Sequence, residues 1–305
     1  MLSELPLVIF TIIAQMSVGS FVVLGLIHLF GARTGRGAID KVSDPALYAI
    51  GPILVLGLLA SMTHLGTPIR AINALRHLDS SWLSREILFG LLFAALGGAF
   101  AFSQWFKWLT PRLRQALAGL AALVGLALIW SMTMVYMLPT VPAWDSWATP
   151  ARFFATTFLL GSLAVGAALV VTADVRRRRG AVADEVSERV IMSSLRGIAI
   201  GGIAMLGVEF VVLPLYLGKL ATDGSAATTA SAGTLVTTYG SYAVVQLVLV
   251  FLGVALLGVF LSRLAKRFST ARMLALAPVA AFVLVFAGEI IGRMLFYASY
   301  ARVGL

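Results

Sequence analysis

Apolar runs of membrane-spanning length divide this chain of 305 residues and determine its class of fold. A helix needs about 20 predominantly apolar residues to cross the hydrocarbon core of a bilayer. Eight runs meet this requirement, at approximately residues 5–30, 46–65, 86–106, 115–137, 152–173, 191–217, 240–262 and 272–296. Because lipid offers the backbone no hydrogen-bonding partner, each run must be helical. The sequence therefore predicts an all-α integral membrane protein with eight transmembrane helices.

Composition supports this class and excludes others. Only 12% of the residues are charged, and the mean hydropathy is +0.98. The chain has no cysteine, so it cannot form disulfides or hold a cysteine-ligated iron–sulfur cluster of its own. Basic cytoplasmic loops explain the formal charge of +10 more simply than nucleic-acid binding does. We interpret residues 1–305 as one multi-pass domain of the cytoplasmic membrane, with the first run retained as a helix rather than cleaved.

The distribution of Lys and Arg predicts the orientation. The connections after the first, third, fifth and seventh runs hold fifteen of these residues, whereas the connections after the second, fourth and sixth runs hold five. Since cytoplasmic loops are enriched in Lys and Arg, we expect the odd-numbered connections in the cytoplasm. Both termini are then expected on the non-cytoplasmic side.

The sequence also makes predictions for two connections and two aromatic residues. Residues 174–190, which contain four consecutive arginines, are expected to form a basic cytoplasmic linker that also contacts lipid headgroups. Residues 218–239 are rich in small polar side chains and are expected to form a flexible outer loop. Trp144 and Tyr297 fall near the ends of runs, where amphipathic rings anchor a protein at the membrane interface.

The connection between the second and third runs gathers ionisable residues. Two of the three histidines of the sequence lie between Ser61 and Ile87. The ionisable residues that concern function are His64, Arg70, Arg76, His77, Arg85 and Glu86. Because charge is costly at a membrane boundary, such a cluster is a hypothesis for a functional site.

Within this cluster, His64 and Glu86 form a plausible proton-relay pair. A structural alternative exists for Glu86, since Ser84 is suited to cap the third helix and a carboxylate in a first turn is stabilised by the helix dipole. His77 is expected to be an exposed loop histidine, and Arg85 is expected either to function or to reach toward the headgroups.

The other intramembrane polar groups favour the same leaflet. On the predicted orientation, Glu209, Glu289 and Arg293 lie toward the outer ends of their helices. Glu289 and Arg293 are four residues apart on one helix face, as a structural ion pair or as part of a binding site. Glu209 is either a protonated acid bonded to a neighbouring helix or a functional group, and Gln15 either joins two helices or contacts a ligand. Together these residues predict a partly hydrated pocket near the outer face.

The positions of the histidines argue against haem. A bis-histidine haem requires two imidazoles at similar depth on facing helices, whereas His28 lies near the inner end of the first run and His64 at the outer end of the second. His77 lies in the connection between runs. No spacing of histidines or carboxylates indicates a metal site. We therefore expect neither haem nor metal in this protein.

Several stretches resemble the membrane anchor subunit of bacterial dimethyl sulfoxide reductase. They are PLVIFTIIAQMSVGSFVVL, SMTHLGTPIRAINAL, LSREI, VPAWDSWATP and GEIIGRMLFY, in this order along nearly the whole sequence. The eight-helix fold is also similar to that of polysulfide-reductase-type anchors. Residues 173–240 resemble the family little, so the resemblance assigns no role to Glu209.

The resemblance implies an anchor that binds and oxidises menaquinol and holds no haem. It implies two partners, an iron–sulfur subunit that receives the electrons and a molybdopterin catalytic subunit that determines the terminal substrate. The histidine and glutamate of the family's quinol site match His64 and Glu86, and Arg70 would hold the pocket or a partner.

Other readings of the same residues stay open. Gln15, Glu289 and Arg293 are further candidates for quinol binding in the predicted pocket. The alternatives are a proton-coupled secondary transporter that uses Glu289 or Glu209, a haem-free polysulfide-reductase-type quinone anchor, and a passive membrane scaffold.

Reporter fusions test the predicted orientation. A reporter that is active only outside the cytoplasm is expected to be inactive when fused within residues 174–190 and active at both termini, because of the fifteen-to-five distribution of Lys and Arg. An active reporter within residues 174–190 would reverse the topology and place the pocket at the inner face.

Overall fold

The computed structural model describes residues 4–31, 40, 44, 47–48, 51–52, 75–180, 184–265 and 271–303. Every regular element in this part of the sequence is helical. The elements are α1 (Leu5–Gly31), α2 (Trp82–Phe106), α3 (Pro111–Tyr136), α4 (Ala148–Arg178), α5 (Glu185–Thr222), α6 (Ala226–Gly233), α7 (Gly240–Ala265) and α8 (Ala271–Ala298). A 3₁₀ turn (Leu75–His77) precedes α2, and a π-helical turn (Thr234–Thr238) follows α6.

Seven of these helices are long and apolar enough to cross a membrane, namely all except α6. This confirms the all-helical, multi-pass architecture. The second predicted run, 46–65, lies almost entirely outside the described residues, as do His64 and Arg70. The eighth span is therefore neither confirmed nor contradicted.

The start of α2 corrects one expectation. Ser81, not Ser84, caps this helix, because its backbone is extended and its side chain accepts a hydrogen bond from the Ser84 amide. Ser84 itself is buried within the helix. Glu86 consequently lies beyond the first turn, which contains no acidic residue. Since the helix dipole acts mainly on the terminal turn, it does not account for a carboxyl group at this position.

Helical structure extends into both of the connections for which the sequence makes predictions. In the 174–190 segment, α4 continues to Arg178 and α5 begins at Glu185, so only a short connection remains. In the 218–239 segment, α5 continues to Thr222, and α6 and the π-helical turn follow, in place of the flexible loop expected from composition. A local cause is the cap, because the Ser225 side chain accepts a hydrogen bond from the Thr228 amide at the start of α6.

Helix α4 forms the centre of the described bundle and packs against α1, α3, α5 and α8. Its apolar segment is 78% buried, a larger share than for any other described candidate span. The contact between α4 and α1 is very close at Gly19 and Gly161. A Cβ atom on Gly19 would overlap the Thr157 carbonyl oxygen, and one on Gly161 would overlap the Gly19 backbone.

This close approach positions the polar residues one turn away. Without a hydrophobic driving force between helices in lipid, small residues allow the dispersion contacts and hydrogen bonds that hold helices together. Gln15 lies one turn before Gly19, and Phe153 lies one turn before Thr157. The packing of α1 on α4 thereby brings the Gln15 side chain within hydrogen-bonding distance of the α4 backbone.

Candidate functional site

A buried arginine joins three helices in the centre of the site. Arg293 of α8 is only 5% exposed, and its Nη2 donates a hydrogen bond of 2.6 Å to Gln15 Oε1 of α1. Gln15 Nε2 in turn donates to the Phe153 carbonyl oxygen of α4, at 2.9 Å. The guanidinium carbon also lies 3.6 Å from the centre of the Phe153 ring, in cation–π geometry. One amide and one aromatic ring therefore replace much of the hydration that this charge would have in water and lacks in lipid.

Glu289, one turn before Arg293, makes a different contact. Its Oε2 accepts a hydrogen bond of 2.7 Å from Thr156 Oγ1 of α4, and the residue is 4% exposed. The two side chains expected to pair on one face of α8 thus bond to different neighbours. Glu209 of α5 interacts electrostatically with Glu289. The site therefore contains a pair of acids from two helices.

A small cavity lies against these groups. Its volume of about 20 Å³ is enough for about one water molecule. Thr156, Glu289 and Arg293 line it together with Arg152 and Tyr216. Glu289 Oε1 and Arg293 Nε are buried, and neither has a hydrogen-bond partner within the described part of the protein. A water molecule in the cavity would supply partners to such atoms, which native proteins rarely leave unsatisfied.

Glu86 and two tyrosines form the neighbouring polar group. Glu86 of α2 is 9% exposed and lies within electrostatic reach of both Tyr136 of α3 and Tyr297 of α8. The two buried hydroxyl groups are 2.8 Å apart, and either can donate to the other. Arg293 in turn interacts electrostatically with both tyrosines and with Glu289. Arg293 is thus the link between the Glu86 group and the pair of acids.

The connection between α3 and α4 folds over this end of the bundle. Trp144 was expected at the membrane interface but is buried, and its indole ring stacks on Phe296 at 5.1 Å between ring centroids. Its Nε1 donates to the Phe296 carbonyl oxygen at 2.9 Å. The Val303 amide donates to the Thr140 carbonyl oxygen, also at 2.9 Å. Residues after α8 and the α3–α4 connection therefore close the site together.

The profile of the DMSO reductase anchor subunit (DmsC) family matches residues 1–299 of this sequence. The chain belongs to this family. It is 34% identical over 307 residues to anaerobic dimethyl sulfoxide reductase chain YnfH of Escherichia coli (strain K12), and the match spans 99% of this sequence and 96% of that one. It is 33% identical over 303 residues to another anaerobic dimethyl sulfoxide reductase chain of the same strain, where the match again spans 99% and 96%.

A shorter similarity extends beyond these proteins. It joins this sequence to a sulfite dehydrogenase subunit of Allochromatium vinosum, with 34% identity over 118 residues that span 34% of this sequence and 36% of that one. Membership of the DmsC family confirms the resemblance found in the sequence. This protein is the membrane anchor subunit of a DMSO-reductase-type complex, which implies catalytic and electron-transfer partner subunits.

In this DmsC-family protein, the described residues bring most of the predicted pocket together. Gln15, Glu289 and Arg293 meet in one cluster, with Glu86 in the neighbouring group, while His64 and Arg70 lie outside the described residues. The sequence reasoning missed Thr156, Tyr136 and Phe153. The signal for Thr156 and Tyr136 was a hydroxyl group within an apolar run, which indicates an interhelical partner without identifying it.

The described part of the protein includes Arg85 and His77 from the ionisable connection. Arg85 donates through Nε to the Leu78 carbonyl oxygen and through Nη2 to the Asp79 carbonyl oxygen, both at 2.7 Å. It therefore closes the turn before α2. His77 is exposed in this turn, as expected. Across the described ranges, no three His, Cys, Asp or Glu side chains are grouped as metal ligands would be.

Replacing Gln15 tests the role of the buried arginine. Gln15→Leu removes the acceptor for Arg293 Nη2, and we expect the free energy of unfolding in detergent to fall by about 1.5–3 kcal/mol, the range for hydrogen bonds to charged groups. Adding Arg293→Met is expected to restore most of this stability, because two apolar partners leave no buried charge without an acceptor. Ser262→Ala, at an exposed hydroxyl that bonds only to its own helix, is the control. A double variant no more stable than Gln15→Leu would contradict this role.

Proposed function

We propose that this anchor subunit binds menaquinol near the non-cytoplasmic face and oxidises it there. The observation that carries the proposal is the burial of Glu86 within electrostatic reach of Tyr136 and Tyr297, whose hydroxyl groups bond to each other and interact electrostatically with Arg293. Quinol oxidation requires groups that accept hydrogen bonds and protons from two hydroxyls. A buried carboxyl group within electrostatic reach of hydroxyl groups has this chemistry, and the match of His64 and Glu86 to the family's quinol site supports the same location.

The proposed chemistry assigns a role to each group. Oxidation breaks both O–H bonds of the quinol, releasing two protons to the protein and two electrons to the iron–sulfur subunit. His64 accepts a proton from one hydroxyl, and Glu86 relays it toward the outer face. Arg70 holds the pocket or the partner subunit, while Gln15, Glu289 and Arg293 complete the polar wall. Menaquinol, rather than another quinol, follows from the family resemblance.

The proposed topology places this chemistry at the outer face of the cytoplasmic membrane. It includes an eighth span at residues 46–65, both termini on the non-cytoplasmic side, and a cytoplasmic connection at 174–190 that contacts lipid headgroups. The iron–sulfur subunit then docks against the 61–87 and 138–151 connections, and it transfers electrons to the molybdopterin subunit. Protons and electrons leave on the same side, so oxidation here would conserve no charge separation.

The family bears on the transporter alternative. Membership of the DmsC family favours an anchor subunit over a secondary transporter, and we propose residues 1–305 as a single multi-pass domain. The terminal substrate belongs to the catalytic partner, with dimethyl sulfoxide or a related S- or N-oxide as the proposal.

Two substitutions test the proposed proton acceptors in the assembled complex. His64→Ala is expected to lower quinol-dependent turnover by about a hundredfold or more, the usual loss with a general base, and Glu86→Gln by at least about tenfold. Glu86→Gln keeps size and hydrogen bonding but exchanges no proton at ordinary pH, so the pH dependence of turnover should also change. The measurement is naphthoquinol oxidation against pH.

A dye that reduces the partner subunits directly serves as the control, because its turnover bypasses the quinol site. It should be unchanged in both variants. Wild-type naphthoquinol turnover in an assembled His64→Ala complex would contradict the assignment of the base, and an unchanged pH profile in Glu86→Gln would leave Glu86 without a role in proton transfer.

A further inference from the structure

A second buried arginine lies at the opposite end of the bundle from Arg293. Arg114 is near the start of α3, the helix whose other end carries Tyr136, and it is only 8% exposed. Its Nε and Nη1 atoms are buried and have no hydrogen-bond partner within the described part of the protein. The ion pairs among the described residues do not include Arg114 either. Because a guanidinium group stays charged in proteins, these donors require an acceptor that the described side chains do not supply.

Two described acids at this end of the bundle are engaged with other groups. Asp44 accepts hydrogen bonds from Gln104 Nε2 at 2.6 Å and from Lys107 Nζ at 2.9 Å. Asp40 forms an ion pair with Lys107 at 3.7 Å. The first turn of α3 contains no acidic residue. These acids therefore neutralise Lys107 and leave Arg114 without a bonded counter-charge.

The start of α3 adds positive potential around Arg114. Thr110 caps this helix, and Pro111 occupies its first turn together with the exposed Arg112. The N-terminus of a helix attracts anions through its unpaired amides and its dipole. Because side chains on a helix lean toward its N-terminus, the Arg114 side chain extends over this turn. The buried guanidinium group and the helix start therefore attract an anion to the same place.

The length of α3 places this turn at the level of the lipid headgroups. The helix has 26 residues and, at about 1.5 Å per residue, is about 39 Å long. The hydrocarbon core of a bilayer is only about 30 Å thick. Both ends of α3 therefore reach the headgroup region, whichever way the protein is oriented in the membrane.

Exposed aromatic rings beside this turn indicate that lipid covers the α2–α3 connection. Phe102 and Phe106 at the end of α2 are each 51% exposed, and Trp108 in the connection is 72% exposed. Their ring centroids lie 4.6 to 5.6 Å apart, so the three rings form one continuous apolar surface. Aromatic rings at the ends of membrane helices contact lipid at the interface. Lipid is therefore the nearest source of an acceptor for Arg114.

We propose that Arg114 and the first turn of α3 bind the phosphate group of an anionic phospholipid. Phosphate oxygens are strong acceptors whose spacing matches the planar donor geometry of a guanidinium group. A negatively charged headgroup also supplies the counter-charge that Asp40 and Asp44 give to Lys107 instead. Basic pockets between membrane helices bind anionic headgroups in other proteins. The site is separate from the proposed quinol chemistry, which lies at the other end of α3.

Lipid titration of the delipidated, assembled complex tests this site. Dioleoyl phosphatidylglycerol is expected to raise the melting temperature of the wild-type anchor subunit, and dioleoyl phosphatidylcholine should raise it less. Arg114→Gln should need at least about tenfold more phosphatidylglycerol for the same rise, the loss that corresponds to one hydrogen bond to a charged group. Arg196→Gln is the matched control, because it removes an exposed arginine from the first third of α5, at the same end of the bundle. It should respond as wild type does.

Native mass spectrometry gives an independent measurement. Wild type should retain one more phosphatidylglycerol molecule than Arg114→Gln, and Arg114→Lys, which keeps the charge but not the planar donors, should bind it with intermediate affinity. If Arg114→Gln does not assemble, Arg114→Lys supplies the same comparison.

Three results would overturn the lipid site. The first is an equal response of wild type and the Arg114 variants to phosphatidylglycerol. The second is a loss of stability in the variants that is the same in both lipids, which would mean that Arg114 bonds within the protein. The third is an equal rise in melting temperature with inorganic phosphate alone, which would identify a free anion as the ligand.

Discussion

A positive charge buried among helices, Arg293, is the constraint on which the described site depends. A guanidinium group in a membrane is costly unless other groups replace its hydration. Gln15 and the ring of Phe153 do so at 2.6 Å and 3.6 Å, which requires α1, α4 and α8 to keep fixed relative positions. The contact between Gly19 and Gly161 supplies this precision, since a single added Cβ atom would separate the α1 and α4 backbones. Close helix packing and solvation of the charge therefore depend on each other.

The same arginine lies between two groups with different chemistry. On one side, Glu86 lies within electrostatic reach of a pair of tyrosine hydroxyls, and on the other, Glu289 bonds to Thr156 beside a cavity of about 20 Å³. Arg293 interacts electrostatically with both tyrosines and with Glu289, so one fixed positive charge acts on both groups.

The sequence was sufficient for properties that depend on one helix at a time. Run length predicts the helices, and the cost of charge in lipid identifies Gln15, Glu289 and Arg293 as residues of interest. It could not predict partners on other helices, because periodicity defines a face but not its neighbour. The bonds from Arg293 to Gln15 and from Thr156 to Glu289 were missed for this reason.

The other differences between prediction and structure arise where the residue types are compatible with more than one local structure. Ser81 and Ser84 are equally good caps by residue type, and only the extended backbone at Ser81 decides between them. The small polar residues of 218–239 suggest a loop, but one of them, Ser225, caps α6. Trp144 has the composition of an interfacial anchor, whereas its ring finds a stacking partner in Phe296 that lies far away in sequence.

Photolabelling with an azido-naphthoquinone tests the central claim, that quinol binds in the outer cluster around Glu86 and Arg293. The assembled complex is illuminated with the label, with and without excess naphthoquinol, and the labelled peptides are mapped by mass spectrometry. We predict labelling that naphthoquinol suppresses in peptides from the start of α2 and the end of α8. Suppressible labelling confined to the opposite ends of the helices, around Gln104 and Lys107, would contradict the claim.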